Sequence, residues 1–316
     1  MKTRRARSGF TMVELLVVIM IIALVSGLLI GTYAGVRKLF RGMTVQQRMD
    51  QISHALEIYK QKHGEYPPDG SRLDEIRRHI LKRWPNVLRD KATYGGSTKL
   101  QVYLTMVPRD PHKALLFWLC GPPRGTNGTV GFSTDVSDPF GLTQDGANFI
   151  FDPNCEALET PLIDLSFDGD ASDGRDHGNC NFTEGCFVYA DKPIVYFRAE
   201  KFGYVCDKYN AAGTEVIQAN VPKLCYYDDD PTNASCSVIH MAAPYMKGNK
   251  WVNPDSYQLV YPGDDGRFGS KYLNGELEDA ARQYVPRNLG DQMTFKVEDE
   301  DNITNFCTGG TLKDDM

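Results

Sequence analysis

The carboxylate of Glu14 is the group whose placement most demands a chemical partner. It is the only charge among the 27 residues from Phe10 to Val36, "FTMVELLVVIMIIALVSGLLIGTYAGV". At bilayer depth a carboxylate costs roughly 3 kcal/mol unless something pairs with it. A cation at the same depth would offset that cost, and an apolar helix has none of its own. Scission between Gly9 and Phe10 would create one, a new α-amino group four residues before Glu14. The plainer alternative is an interfacial or protonated glutamate that reaches the headgroups.

Oxygen-rich loops are the second place where chemistry could reside. In "FDGDASDGRDHG" (167–178), Asp168, Asp170 and Ser172 alternate as the first ligands of an EF-hand calcium loop do. The sixth position, where that loop turns on glycine, is Asp173, and the twelfth is Asn179 rather than glutamate. An ordinary solvated acidic loop accounts for the stretch equally simply. "YYDDDPTN" (226–233) lacks the alternation and reads as a surface turn. Enzyme chemistry finds little support. His54, His63, His79, His112, His177 and His240 show no ligand spacing, and there is no nucleophile elbow or phosphate loop. The sequence therefore predicts a protein that is not an enzyme.

Composition narrows the partners. The net charge is −6, and removing Lys2, Arg4, Arg5 and Arg7 with the first nine residues takes it to −10. An acidic surface argues against nucleic acid, which needs clustered Lys and Arg. All eight cysteines lie between Cys120 and Cys307. An even count confined to one region predicts disulfides in an oxidising compartment, with 105 possible pairings; buried thiols are the alternative. No C-x2-C pair points to zinc.

Periodicity supplies the elements that would position these groups. A span needs about 20 apolar residues, so the run after Phe10 is long enough. Val45, Met49, Ile52, Leu56 and Tyr59 then recur at spacings of 4, 3, 4 and 3, a stripe on one helical face. One helix from Phe10 to about Lys62 would be roughly 80 Å long. Gly27, Gly31 and Gly35 would let helices approach closely in lipid. "HGEYPPDG" (63–70) ends the helix. A second helix is expected from Ser71, with Asp74 as its capping-box partner and Leu73, Ile76 and Ile80 as its apolar face. A third lies in "DPHKALLFWLCG", capped by Asp110, with Pro111 at the first position and Gly121 at the end. Phe117 and Trp118 there are read as core. "KPIVYFRAE" (192–200) and "SYQLVYPG" (256–263) are the clearest strands.

The stretch "SGFTMVELLVVIMIIALVSG" resembles the class III signal of type IV pilins and type II secretion pseudopilins: a short basic leader, a glycine, a phenylalanine, and a glutamate at the fifth mature position. An ordinary signal peptide would place its small-residue cleavage site after the apolar core, not before it. The resemblance implies that a prepilin peptidase cuts after Gly9 and methylates the amine of Phe10. It also implies that Glu14 pairs with the amino terminus of a neighbouring subunit as a filament grows. "ALEIYKQKHGEYP" is similar to the helix end of the major pseudopilin. "YPGDDGRFGS" (261–270) and "VEDEDNITNF" (297–306) resemble its C-terminal calcium loop, although about 30 residues separate the two halves here. By position the resemblance assigns Ca²⁺ ligands to Asp265, Asp299, Asp301 and Asn302, with Asp264 adjacent.

The expected architecture is α+β, with a long N-terminal membrane-spanning helix packed on an antiparallel β-sheet head of pilin type, enlarged by long loop insertions. Residues 1–9 would be the leader, 10–36 the transmembrane half, 37–62 the exported amphipathic half and 63–316 a periplasmic head. The protein would be single-pass in the inner membrane, with prepilin peptidase and other pilin or pseudopilin subunits as partners. It would serve as a structural subunit of a type II secretion pseudopilus. The alternatives are a type IV pilin for adhesion or motility, and a membrane-anchored extracytoplasmic binding domain.

Overall fold

The computed structural model describes residues 11–88, 93–94, 96–124, 129–145, 148–163, 180–181, 186–189, 192–201, 203–209, 216–222, 225–226, 238–247, 250–263, 265–273, 276–278, 282–283, 300–307 and 311–313. Helix and antiparallel sheet are mixed, with a single parallel pairing among the described strands. Helix α1 runs Met12–His63, 52 residues without a proline. Gly64, at φ 78°, closes it by donating its N–H to the Lys60 carbonyl at 2.7 Å, a left-handed cap that favours glycine.

The chain divides into two compact units, Met1–Thr44 and Val45–Met316. In the first, the side chains from Met12 to Val25, apart from Glu14, are apolar and open: Met12 is 92 % exposed and even Val17 is 42 % exposed. Such a surface calls for lipid or a partner to cover it. Among the described residues, no helix is both long and apolar enough to cross a membrane. In the apolar run, side chains are described only over 11–27, short of the about 20 residues a span needs. The apolar sequence continues through Leu28, Leu29 and Ile30, and the helical backbone with it.

In the second unit the expected stripe is the core. Val45, Met49, Ile52, Leu56 and Tyr59 are 0–1 % exposed, joined by Ala55. They pack with Ile76 and Ile80 of α2 (Leu73–Arg83), Leu100 and Tyr103 of α3 (Lys99–Met106), and Leu115, Phe117 and Trp118 of α4 (Pro111–Cys120). Burying each large apolar side chain contributes about 1.5–3 kcal/mol. Phe117 and Trp118 are core residues, as expected.

Helix α4 starts at Pro111 and stops before Gly121, whose φ of 89° brings it against the Gly131 backbone; a Cβ there would lie 2.4 Å from the Gly131 carbonyl carbon. Asp110 precedes the helix in extended conformation and makes no side-chain cap.

Helix α2 departs from expectation at its start. Arg72, not Ser71, is the N-cap residue, and no capping box with Asp74 forms. Ser71 is held elsewhere: its N–H and hydroxyl both donate to Oδ1 of the buried Asp69, whose Oδ2 accepts the Arg198 N–H. Asp74 pairs with Arg72 at 2.6 Å instead. Leu73 is 41 % exposed, and His79 shares the buried face with Ile76 and Ile80.

A three-stranded antiparallel sheet sits at the centre of the second unit, with β2 (Tyr257–Tyr261) between β1 (Val195–Arg198) and β3 (Ile303–Thr304). Both faces are buried. Tyr196, Tyr257, Leu259, Tyr261 and Ile303 join the cluster containing α1, whereas Val195, Phe197 and Val260 join a second cluster with Tyr204, Tyr245, Phe268 and Leu312. Two-sided burial is why β2 reads as a continuous apolar run.

Just after α4 in the chain, the buried Arg124 holds the loops together. Its guanidinium donates to the carbonyls of Gly131, Gly141, Asp152 and Phe140 at 2.8–3.1 Å.

The cysteines correct an expectation. No disulfide is seen among the described residues, and Cys120, Cys155 and Cys307 are thiols. Packing separates them: Cys120 ends α4 in the main core, Cys307 lies in the second cluster, and Cys155 is half-buried beside Gly141. The side chains of Cys180, Cys186, Cys206, Cys225 and Cys236 lie outside the described set.

Candidate functional site

Of the N-terminal residues singled out in the sequence, Gly9 and Phe10 lie outside the described residues, whereas Glu14 stands in the first turn of α1. Thr11 and Glu14 close a reciprocal capping box. The Glu14 N–H donates to Thr11 Oγ1 at 3.2 Å, and Glu14 Oε2 accepts from the Thr11 N–H at 2.8 Å and from its hydroxyl at 2.9 Å. The arrangement satisfies donors that every helix start leaves open, and it holds negative charge at the positive end of the helix dipole. The Thr11-x-x-Glu14 spacing is the sequence signal of this cap. Both side chains are exposed, so the carboxylate keeps Oε1 and the outer side of Oε2 accessible to a cation from another molecule. Gly27 has nothing within 4 Å of where a Cβ would stand, leaving a flat spot for a neighbouring helix.

The acidic turn is the second candidate. Asp265 and Asp301, 36 residues apart, come together: the Asp265 N–H donates to Asp301 Oδ2 at 3.0 Å. Gly263, at φ 62°, allows the approach, since a Cβ there would lie 2.4 Å from the Asp301 carbonyl oxygen. Asn302 is fully buried, donating from Nδ2 to Tyr245 Oη at 2.9 Å, and its carbonyl accepts the Leu312 N–H. Asp265 Oδ1 accepts the Arg267 N–H at 2.7 Å. The Lys192 ammonium lies against Gly266, where a Cβ would otherwise stand, so one cation already faces this turn.

Asp264 and Asp299 lie outside the described residues, as does the 168–179 loop. Among the described residues, no group of three or more His, Cys, Asp or Glu side chains could hold a metal ion. The two described carboxylates alone therefore do not make a Ca²⁺ site, which takes six to eight oxygens.

A third cluster has the connectivity of a catalytic relay. His79 Nδ1 lies 2.9 Å from Glu65 Oε1, and its Nε2 lies 2.6 Å from Tyr59 Oη. With the proton on Nδ1, His79 donates to Glu65 and accepts from Tyr59, and every atom is satisfied. Burial lowers the His79 pKa, with Glu65 opposing, and pushes Tyr59 up to about 12. Burial would raise Glu65, but the His79 hydrogen bond and the Arg198 and Arg78 charges hold it down at about 2. Tyr59 is 0 % exposed, so no substrate can reach the end of this chain. The cluster joins α1, α2 and β1 as structure.

Comparison with known proteins addresses the first candidate. Residues 4–30 match the family model of the prokaryotic N-terminal methylation motif, the prepilin-type signal of type IV pilins and pseudopilins. The match spans Gly9, Phe10, Thr11 and Glu14. No curated protein and no solved structure matches the chain.

Proposed function

We propose that this chain, which carries a prepilin-type signal, is a structural subunit of a type II secretion pseudopilus-like filament. One observation carries the reading: inside the 4–30 motif, an exposed apolar helix presents an accessible carboxylate at its first turn. Prepilin peptidase cuts after Gly9, and the methylated amine of Phe10 keeps its positive charge. In the membrane the apolar run anchors the protein, with the C-terminal unit in the periplasm. As subunits join, Glu14 of one takes the amine of another, which removes two unpaired charges from an apolar setting. The role is structural and not enzymatic.

We further propose that the turn at 263–266 and the acidic run hold Ca²⁺, with Asp264, Asp265, Asp299, Asp301 and Asn302 as the ligand set. The approach of Asp265 and Asp301 supports this reading. Asp264 and Asp299 would have to complete the shell.

The decisive comparison is Glu14→Gln with Glu14→Ala. Glutamine preserves the capping box but has no charge, and alanine has neither. Both variants should be inserted and processed, and both should lose crosslinkable filament. Filament yield equal to wild type for Glu14→Gln would show that the charge is not the assembly determinant. Deleting the gene should abolish export of extracellular proteins and leave surface fibres intact. The opposite pattern would make the chain a type IV pilin.

A further inference from the structure

Where the end of α1 meets α2, α4 and the segment 159–162, the protein forms a small, partly open cavity of about 10 Å³. His63, Arg83, Trp118 and Glu159 contribute to its wall. Arg83 and Glu159 are bonded to each other, Nη2 to Oε2 at 2.9 Å. Two other atoms are not so provided for. Trp118 Nε1 and His63 Nε2 are both shut off from solvent without a hydrogen-bond partner in the protein, and Trp118 is only 1 % exposed. A buried polar atom left this way costs about 1–3 kcal/mol. Two around one cavity point to a ligand.

Size and chemistry choose it. A cavity of this volume has room for about one water. The indole N–H is a donor only and needs an acceptor. His63 is neutral, since burial and the Arg83 and Lys62 charges hold its pKa down to about 3. With its proton on Nδ1 the neutral ring needs a donor at Nε2, and with its proton on Nε2 it needs an acceptor. An anion such as chloride would suit only the second form, and a cation would leave the indole unserved. Water suits the indole and either form of the ring.

We propose that a single ordered water occupies this cavity, accepting from Trp118 Nε1–H and donating to His63 Nε2. The water would tie the last residue of α1 to α4, in line with the Tyr59–His79 contact one turn earlier.

Three indole N–H groups exist, on Trp84, Trp118 and Trp251. The test uses the full chain in detergent micelles, labelled with ¹⁵N-tryptophan, in water-edited rotating-frame Overhauser spectra. Trp118→Phe assigns its signal, or Trp84→Phe and Trp251→Phe assign it by elimination should the first variant not fold. The Trp118 indole should show a cross-peak to water of dipolar sign, opposite to that of chemical exchange, and His63→Leu should weaken it at least several-fold. No dipolar peak, or a Trp118 signal that moves when chloride is replaced by a larger anion, would overturn the proposal.

Discussion

Acid should loosen the C-terminal unit at the junction that holds His63, Glu65 and His79. His63 is held down to about 3 by burial and by Arg83, Lys62, His79 and Lys82, against an ordinary 6.5. The unfolded chain therefore binds a proton there that the folded chain refuses. Its contribution to stability is whole above about pH 6.5 and is lost as pH falls from there toward 3. Glu65 acts in the same direction lower down: its folded pKa of about 2 lies below 4.5, so its contribution is whole above pH 4.5 and is lost toward pH 2. One pKa unit corresponds to about 1.4 kcal/mol, so going from pH 7 to pH 4 removes up to about 3 kcal/mol through His63 and about 1 kcal/mol through Glu65.

His63 is partly exposed, and screening by solvent and by the surrounding cations reduces its share, so about 2 kcal/mol in total is the expected loss. For a unit of this size that lowers the unfolding midpoint by about 4–8 °C. Thermal unfolding of the full chain in detergent at pH 7, 5.5 and 4 measures it. Other carboxylates contribute to any acid effect, so the informative quantity is the difference between wild type and His63→Gln, which does not titrate. The variant should lose about half as much as wild type over the same range. If the two curves stay parallel, or if the His63 ring titrates near 6.5 by NMR, the account of this junction is wrong.

Gly9→Val should leave the precursor uncut, because the peptidase needs a residue with almost no side chain before the scissile bond; a mature chain beginning at Phe10 in that variant, seen by N-terminal mass spectrometry, would count against the cleavage site. Arg124→Met should cost about 3 kcal/mol in urea unfolding, since the buried Gly131 and Phe140 carbonyls and the half-buried Asp152 carbonyl lose this donor, while the Gly141 carbonyl keeps the Asp152 N–H; a loss under 1 kcal/mol would show that the loops find other partners. Ca²⁺ at millimolar concentration should raise the unfolding midpoint of the wild type, and chelation should reverse it, while Asp301→Asn should respond to neither. Equal responses of wild type and variant would remove Asp301 from the ligand set.

Much of this fold was legible because periodicity reports burial directly. The stripe from Val45 to Tyr59 maps residue for residue onto the core side of α1, and "SYQLVYPG" onto the central strand. What escaped depended on competition for hydrogen bonds, which spacing does not record. Ser71 has the spacing of a helix cap, yet Asp69 takes its N–H and hydroxyl, so the helix starts later. Thr98-x-x-Gln101 shows the same spacing, and there the box forms and opens a helix that the sequence reading passed over. Cysteine count could not place Cys120, Cys155 and Cys307, because parity says nothing about which layer each thiol occupies.

The two candidate sites differ in how far their chemistry is local. Thr11 and Glu14 sit three residues apart on one turn, so the geometry of the helix start follows from the sequence itself, and the motif match at 4–30 reads the same residues. Asp265 and Asp301 meet only because β2 and β3 pair, Val260 with Thr304 and Tyr261 with Ile303, which carries the chain ends just beyond the pairing into one turn. A long insertion between those strands leaves that pairing in place. The residues between the two acidic stretches, which include the strands Ser270–Leu273, Glu276–Glu278 and Arg282–Gln283, therefore do not part the carboxylates. Sheet register, not chain length, determines which side chains meet.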